Sequence, residues 1–350
     1  MTREGTDVKG TGHTKKTPLL IVLDDREGLL ARSRGVERMR AIADVRVLAG
    51  SLDELTLDVR ERVSVIMAVR ERTRFDAATL AMLPALELVL QSGGHAYHLD
   101  SDYASSQGVS VALGRGGEAT RAAVPELTFA LAVSALRMLP AAHNALVAGE
   151  WAPFVGRNLQ GRTLGILGLG RHGGNVARIA VAYGMRVVAW DRGGKGSPAE
   201  STGPERLSLD DLLAVSDVVT VHLKLSDESR GLLTEARLRG MKVGSVLINT
   251  ARGAIVDEAA LARVLRAGPL AAAGLDVFTE EPLPLSSPLR ALPNVVLTPH
   301  IGWTVEEVLA EFADTAARQL EDYLSGRLSR TELLDAHVDD SHARVGGLDG

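Results

Sequence analysis

Cysteine is absent from the 350 residues. That excludes a disulfide scaffold, a thiol nucleophile, an iron–sulfur cluster and a thiolate zinc site, and no metal is expected. Aromatic residues are scarce, with 3 Trp, 4 Tyr and 5 Phe, too few for a base-stacking platform. Positive charge is not in excess either. The 39 Lys and Arg against 44 Asp and Glu leave a net charge of −5, which argues against a sequence-independent nucleic-acid binder. Met1–Thr17 is polar and lacks the apolar run of a signal peptide. The most apolar long stretch, Ala122–Ala142, is interrupted by Pro125, Glu126, Arg137 and Pro140 and does not read as a membrane span. The expected location is cytoplasmic, with neither nucleic acid nor membrane as partner.

What is present is ordinary globular sequence, 45% apolar and 24% charged, at a length that suits about two domains. Short apolar runs of strand length occur at Pro18–Leu23, Val45–Leu48, Val63–Val69, Leu86–Leu90 and Val109–Leu113. Polar-apolar stretches of helix length, such as Ser51–Arg62 and Asp76–Leu83, separate them. A second alternating block has strand candidates at Thr163–Leu167, Arg186–Trp190, Val218–His222, Ser245–Asn249, Ala271–Leu275 and Val295–Leu297. Such alternation reads as α/β with mostly parallel sheets. Between the blocks, Arg121–Leu146 reads as one long helix, with Pro125 early enough to be tolerated. Its centre, Leu127–Leu136, is apolar nearly all round, which suits burial on more than one side, at a domain junction or in a homodimer interface. A last helix is expected over Val305–Leu324. Residues 1–17 and 335–350 read as flexible tails.

The first chemical signal is Gly168-Leu-Gly170-Arg-His-Gly173, a G-x-G-x-x-G pattern after an apolar strand and before a helix. Gly168 permits a tight turn, Gly170 lets backbone approach a pyrophosphate, and Gly173 lets helix and strand pack closely. The next strand candidate ends in Asp191, 18 residues past the third glycine. An acid there accepts bonds from ribose hydroxyls and repels a 2′-phosphate, so NAD is favoured over NADP. Arg192 works against that preference, since arginine pairs with phosphate.

Three further motifs follow in order. They are Asn249-Thr250-Ala251-Arg252-Gly253, then Leu275-Asp276-Val-Phe-Thr-Glu-Glu281-Pro-Leu, then Leu297-Thr-Pro-His300-Ile-Gly-Trp303. All lie at or just past the C-terminal ends of strand candidates, the edge where open α/β sheets bind ligands. Arg252 is 29 residues before Glu281, and Glu281 is 19 before His300. With these motifs the chain resembles the D-isomer-specific 2-hydroxyacid dehydrogenases, a family that includes phosphoglycerate dehydrogenase and hydroxypyruvate reductase. The resemblance runs over roughly Leu20–Leu334.

It implies two doubly wound, Rossmann-like α/β domains. An NAD-binding Rossmann domain, 122–303, is inserted in a discontinuous flavodoxin-like substrate domain, 18–121 with 304–334, and the active site lies in the cleft between them. It implies NAD(H)-dependent interconversion of a 2-oxo acid and a D-2-hydroxy acid. Arg252 binds the substrate carboxylate and polarises the carbonyl, His300 is the general acid/base, and Glu281 bonds the other imidazole nitrogen. Gly168, Gly170, Arg171, His172, Gly173, Asp191, Arg192, His222, Thr250, Ala251, Asp276 and His300 contact the dinucleotide, Asp276 near the nicotinamide carboxamide. The chemistry agrees with these roles. Hydride addition to a 2-oxo carbon leaves negative charge on oxygen, and a protonated histidine beside it supplies the proton. A carboxylate on the far nitrogen favours the imidazolium and fixes its tautomer. Arginine offers a planar fork that matches a carboxylate.

The family's substrate loop corresponds to Leu90–Asp100, where Ser92, Gly93 and Gly94 form an anion-binding turn. Here the sequence departs from the family. His95 and Tyr97 replace smaller residues and alter the pocket, although His95 and His98 also suit a plain structural loop. His172 stands in the glycine loop where an aliphatic residue is usual. Trp303 walls the substrate pocket. Arg115 reads a second anionic group or is simply solvated. Formate dehydrogenases fit poorly because they carry glutamine in place of Glu281, and phosphite dehydrogenases because no lysine lies between Gln91 and Asp100. Two other readings share the fold: an NAD(H)-sensing corepressor-like binding protein, and a reductase of an unusual oxo acid in a specialised pathway.

Overall fold

The computed structural model describes residues 17–115, 117–191 and 203–334. Arg192 and nearly all of both expected tails lie outside them. The chain divides into two compact units, one made of the residues up to Gly117 and from Glu306 onward, the other running Glu118–Val305.

The first unit carries five parallel strands: β1 (Leu19–Val22), β2 (Asp44–Val47), β3 (Val63–Ala68), β4 (Leu88–Gln91) and β5 (Ser110–Leu113). Their spatial order is β2-β1-β3-β4-β5, the flavodoxin-like arrangement with its switch point between β1 and β3. β1 and β4 are buried along their whole length. This is why they appear in the sequence as unbroken apolar runs rather than alternating ones. The helix Glu306–Leu324 closes this unit against the helix Arg34–Arg40. The crossing is tight at Gly35, where a Cβ would stand 2.2 Å from the Ala313 carbonyl carbon. Buried Gln319 donates from Nε2 to the Leu113 carbonyl at 3.0 Å, tying the returning helix to the end of β5.

The second unit holds seven strands: β6 (Thr163–Leu167), β7 (Arg186–Trp190), β8 (Glu205–Arg206), β9 (Val218–Val221), β10 (Val246–Asn249), β11 (Ala272–Leu275) and β12 (Val295–Leu297). All pairings are parallel, in the order β12-β11-β10-β9-β6-β7-β8. Its switch point lies between β6 and β9, so the ends of those two strands open onto one crevice. Among the described residues, only the two-residue β8 lies outside the strand candidates read from the sequence.

The expected single helix over Arg121–Leu146 is instead two, Glu118–Arg137 and Leu139–Val147. Met138 sits between them in the left-handed region at φ 52°. Pro140 explains the break, because it has no N–H for the Leu136 carbonyl and its ring crowds that oxygen. Leu136 accepts from the Arg157 backbone N–H at 3.1 Å instead. Pro125 lies inside the first helix rather than in its first turn. The carbonyl it orphans is that of Arg121, and the Asn175 side chain donates to this oxygen at 2.9 Å. The apolar centre of the helix faces its own sheet: Phe129, Leu131, Ala132, Ala135 and Leu136 are buried with residues of β6, β9, β10 and β11. The same helix is long and apolar enough to cross a membrane, but its packing against β6, β9, β10 and β11 is that of a core helix. One side of the helix is thus taken up by its own sheet, while Leu127 and Val133 keep partial exposure and Ala130 is exposed.

Asn175→Ala should lower stability by about 1–3 kcal/mol, the range for an acceptor shielded from water that loses its partner. The loss should shrink in a Pro125→Ala background, where the helix itself supplies a donor. Urea unfolding of the single and double variants measures this coupling, and strictly additive losses would contradict it.

Candidate active site

Six strand ends of the second unit, those of β6, β7, β9, β10, β11 and β12, carry the residues of interest. After β6, Gly168 adopts φ +95°, and a Cβ there would meet the His222 carbonyl oxygen at 2.9 Å. Gly168 N–H donates to the Trp190 carbonyl, holding the turn against the end of β7. A Cβ on Gly173 would stand 2.0 Å from the Gly168 oxygen, so this glycine is required by helix–strand contact. Gly170 differs. It caps the helix Arg171–Ala182, and a Cβ there would meet no atom within 4 Å. The open space lies at the first turn, the positive end of a twelve-residue helix, a place suited to a pyrophosphate. The residues fit a dinucleotide.

Asp191 follows β7. Its Oδ1 accepts the Leu169 N–H at 2.6 Å, and its Oδ2 pairs with the Arg206 guanidinium. Arg206 was missing from the sequence reading, because nothing local marks a two-residue strand fifteen residues on. Arg171 is exposed at the first turn of the helix and His172 half-buried beside it. His222, after β9, has its Nε2 buried, and its pKa is lowered to about 3 by burial first and by neighbouring His172 second. It is neutral at physiological pH.

Beyond β10, the buried Asn249 side chain accepts the Ala251 N–H and donates to the Arg252 carbonyl, both at 3.0 Å. This local turn is what aspartate and asparagine favour after a strand. Thr250 Oγ1 lies 3.1 Å from Thr128 Oγ1, and Arg252 donates to the Ala251 carbonyl at 2.6 Å. Gly253 must be glycine because a Cβ would stand 1.9 Å from the Phe278 carbonyl carbon. That contact draws the β10 and β11 loops together.

Asp276, beyond β11, is buried. Its carboxylate accepts from Thr298 Oγ1 at 2.6 Å, from the Ile301 N–H at 2.8 Å and from the Gly302 N–H at 2.9 Å. Burial raises its pKa, against those donors and the nearby His300. In the structure this carboxylate thus holds the loop that bears His300. His300 itself takes φ 55°, a conformation rare for non-glycine residues that functional sites retain when their surroundings enforce it. Its Nδ1 lies 2.7 Å from Glu281 Oε2, while Glu281 Oε1 accepts the Phe278 N–H at 2.8 Å. Burial works to raise the Glu281 pKa, but the bond and charge of His300, the Phe278 N–H and the Arg252 charge together lower it. Arg252, Glu281 and His300 are therefore one electrostatic group. Trp303 is buried rather than presented broadly to solvent.

In the first unit the substrate-loop candidates have partners that the sequence reading did not name. Buried Ser92 accepts the Arg70 N–H at its Oγ, at 2.8 Å. Gly93 takes φ +114°, and the Arg70 guanidinium occupies the place of its Cβ. His95 Nε2 lies 3.3 Å from Arg70 and 3.2 Å from Glu71, and its ring stacks on Tyr97. Arg70 and Glu71 follow β3, next to β4 in the sheet, which only the strand order discloses. His98 is a different case. Both its ring nitrogens are buried without a hydrogen-bond partner, and burial lowers its pKa. Arg115 is exposed, with its Cγ 3.7 Å from the position of a Gly94 Cβ.

A doubly wound sheet with a glycine turn, a capping helix N-terminus and an acid after the second strand defines a dinucleotide-binding protein of the dehydrogenase type. The profile of the "D-isomer specific 2-hydroxyacid dehydrogenase, NAD binding domain" matches residues 129–302. Over 264 residues the chain is 39% identical to a glyoxylate reductase of Aeropyrum pernix, covering 73% of this chain and 78% of that protein. It is 37% identical over 267 residues to a D-3-phosphoglycerate dehydrogenase of Archaeoglobus fulgidus, covering 75% of this chain but only 50% of that longer protein. A crystal structure of D-lactate dehydrogenase from Aquifex aeolicus with NAD and lactic acid superposes with a TM-score of 0.75 at 25% identity, over 90% of this chain and 98% of that one. The chain belongs to the D-isomer-specific 2-hydroxyacid dehydrogenase family, and its second unit contains the family's NAD-binding domain.

The two glycines separate binding from folding. Gly170→Ala should weaken NADH binding about tenfold or more, as for loss of a bond to a charged group, with an unchanged urea midpoint. Gly173→Ala should instead cost roughly 1–3 kcal/mol of stability, the range for overpacking. Calorimetric titration and urea unfolding distinguish them; equal NADH affinity in Gly170→Ala would refute the placement of the pyrophosphate.

Proposed function

We propose that the protein is an NAD(H)-dependent reductase of a small 2-oxo acid, forming the D-2-hydroxy acid, or catalyses the reverse oxidation. The observation that carries this reading is the Glu281–His300 pair with Arg252 in its field, at the edge of the NAD-binding sheet. Bound NADH would supply the hydride to the carbonyl carbon. Glu281 occupies Nδ1 of His300, so Nε2 is the nitrogen left to give its proton to the carbonyl oxygen. Arg252 binds the substrate carboxylate and steadies the charge growing on that oxygen. In the oxidative direction His300 takes the hydroxyl proton at the same nitrogen. Asp276 and Asn249 hold the loops that carry His300 and Arg252. The names of the relatives support a small oxo acid, and Ser92, Gly93 and Gly94 are assigned to its carboxylate as the family resemblance implies.

The test follows NADH absorbance with glyoxylate, pyruvate, hydroxypyruvate, phenylpyruvate and 2-oxoglutarate. Turnover is expected with at least one, and His300→Ala should reduce it by about 10²–10⁴-fold while NADH still binds. Undiminished turnover in that variant would remove His300 from the mechanism. NADH binding with no turnover on any acid would favour the sensing protein.

A homodimer is also part of this reading, on a different surface from the apolar helix centre. Leu139, Leu146, Val147, Trp151 and Val155 form an exposed apolar run in the second unit, with Trp151 at 93% exposure. Such a run on one short helix and its extension suits a partner surface. Light scattering at micromolar concentration should give twice the chain mass, and Trp151→Glu with Val155→Glu should give the monomer. A wild-type monomer would refute it.

A further inference from the structure

Across the edge of the seven-stranded sheet, the ends of β6, β7 and β8 stand in sequence: glycine turn, Asp191, Arg206. Arg206 is level with Ala189 of β7, two residues before Asp191. The Asp191 carboxylate is thus held from both sides. Oδ1 faces the glycine turn through the Leu169 N–H, and Oδ2 faces outward to the Arg206 guanidinium. Both side chains are 39% exposed, so the pair forms part of the surface that a ligand meets.

A lone aspartate here would discriminate strongly against NADP. The 2′-phosphate carries close to two negative charges at neutral pH and would confront a carboxylate without room for relief. Arg206 changes that balance in two ways. It neutralises Asp191, which removes most of the repulsion. It also offers donors of a planar guanidinium on the outer side of the carboxylate, the side away from the pyrophosphate turn. The carboxylate keeps acceptor capacity, since among the described residues each oxygen has one donor and each has two lone pairs. Ribose hydroxyls can therefore still bond to Asp191 when no phosphate is present.

We propose that Arg206 is a cofactor-specificity residue that lets this protein bind NADP(H) as well as NAD(H), pairing with the 2′-phosphate in one case and with Asp191 in the other. This rests on the placement of the ribose at Asp191. The experiment is calorimetric titration of the full-length protein with NADH and with NADPH, for wild type, Arg206→Gln and Arg206→Lys, at low and high salt. Wild type should bind both, NADPH within about 30-fold of NADH. Arg206→Gln should weaken NADPH by about 10- to 100-fold, as for loss of a charged hydrogen-bond partner, and NADH by no more than about threefold. Arg206→Lys, which keeps the charge, should recover part of the NADPH affinity. Salt should weaken NADPH binding in wild type more than in Arg206→Gln. Equal losses for both dinucleotides in Arg206→Gln would make Arg206 only a support for Asp191 and overturn the proposal. So would wild type binding NADH but not NADPH. Wild type binding neither would overturn the placement at Asp191 together with it. Each readout is independent of turnover, so the dehydrogenase reading stands or falls separately.

Discussion

A carboxylate buried as deeply as that of Asp276 has to be met by donors from its own fold, because stranding a charge without partners costs several kcal/mol. Here one hydroxyl and two backbone N–H groups meet it, and all three come from Thr298, Ile301 and Gly302. The bonds flank His300 on both sides, and the His300 N–H itself donates to the Asp276 carbonyl at 2.9 Å. The loop has little freedom left. Its left-handed backbone at His300 is tolerated because the carboxylate beneath would otherwise be stranded. The burial that raises the Asp276 pKa also makes its donors indispensable.

The same economy recurs where backbones touch. Gly253 against Phe278, Gly173 against Gly168 and Gly35 against Ala313 are contacts that a single methyl group would break. Gly253 brings the arginine loop to within reach of the loop carrying Glu281, and Gly173 seats the helix that begins at the glycine turn. Protein interiors are packed too densely to absorb an added carbon without moving something. Geometry at these edges is therefore set by which side chains are missing as much as by which are present.

Much of this was legible in the sequence, for reasons that differ by element. Parallel strands buried on both faces appear as unbroken apolar runs, so β1, β4, β9 and β10 announce themselves. Gly168–Gly173, Arg252, Glu281 and His300 were readable because each lies in a contiguous motif at a strand end. The helix break at Met138 was less so. Pro140 marked it, but a tolerated Pro125 in the same helix shows that proline alone does not decide. In both cases a distant donor, Asn175 or Arg157, takes up the orphaned carbonyl, and no signal near either proline in the sequence names that donor. Arg70, Glu71 and Arg206 were invisible for a related reason. Their partners lie on neighbouring strands, 25, 24 and 15 residues away, and only the order of strands in the sheet makes them neighbours.

Gln319 reaches back to a carbonyl 206 residues earlier in the chain, and this has a consequence for biosynthesis. The strands of the first unit leave the ribosome before the second unit, and the helix that closes them leaves after it. The first sheet must wait, with the face meant for that helix uncovered, while the whole second unit is translated. The second unit has no such debt, since every strand and helix that it needs lies between Glu118 and Val305. Vectorial synthesis thus inverts the order in which the two units become complete, and the N-terminal strands are the part of the nascent chain longest in need of protection from aggregation.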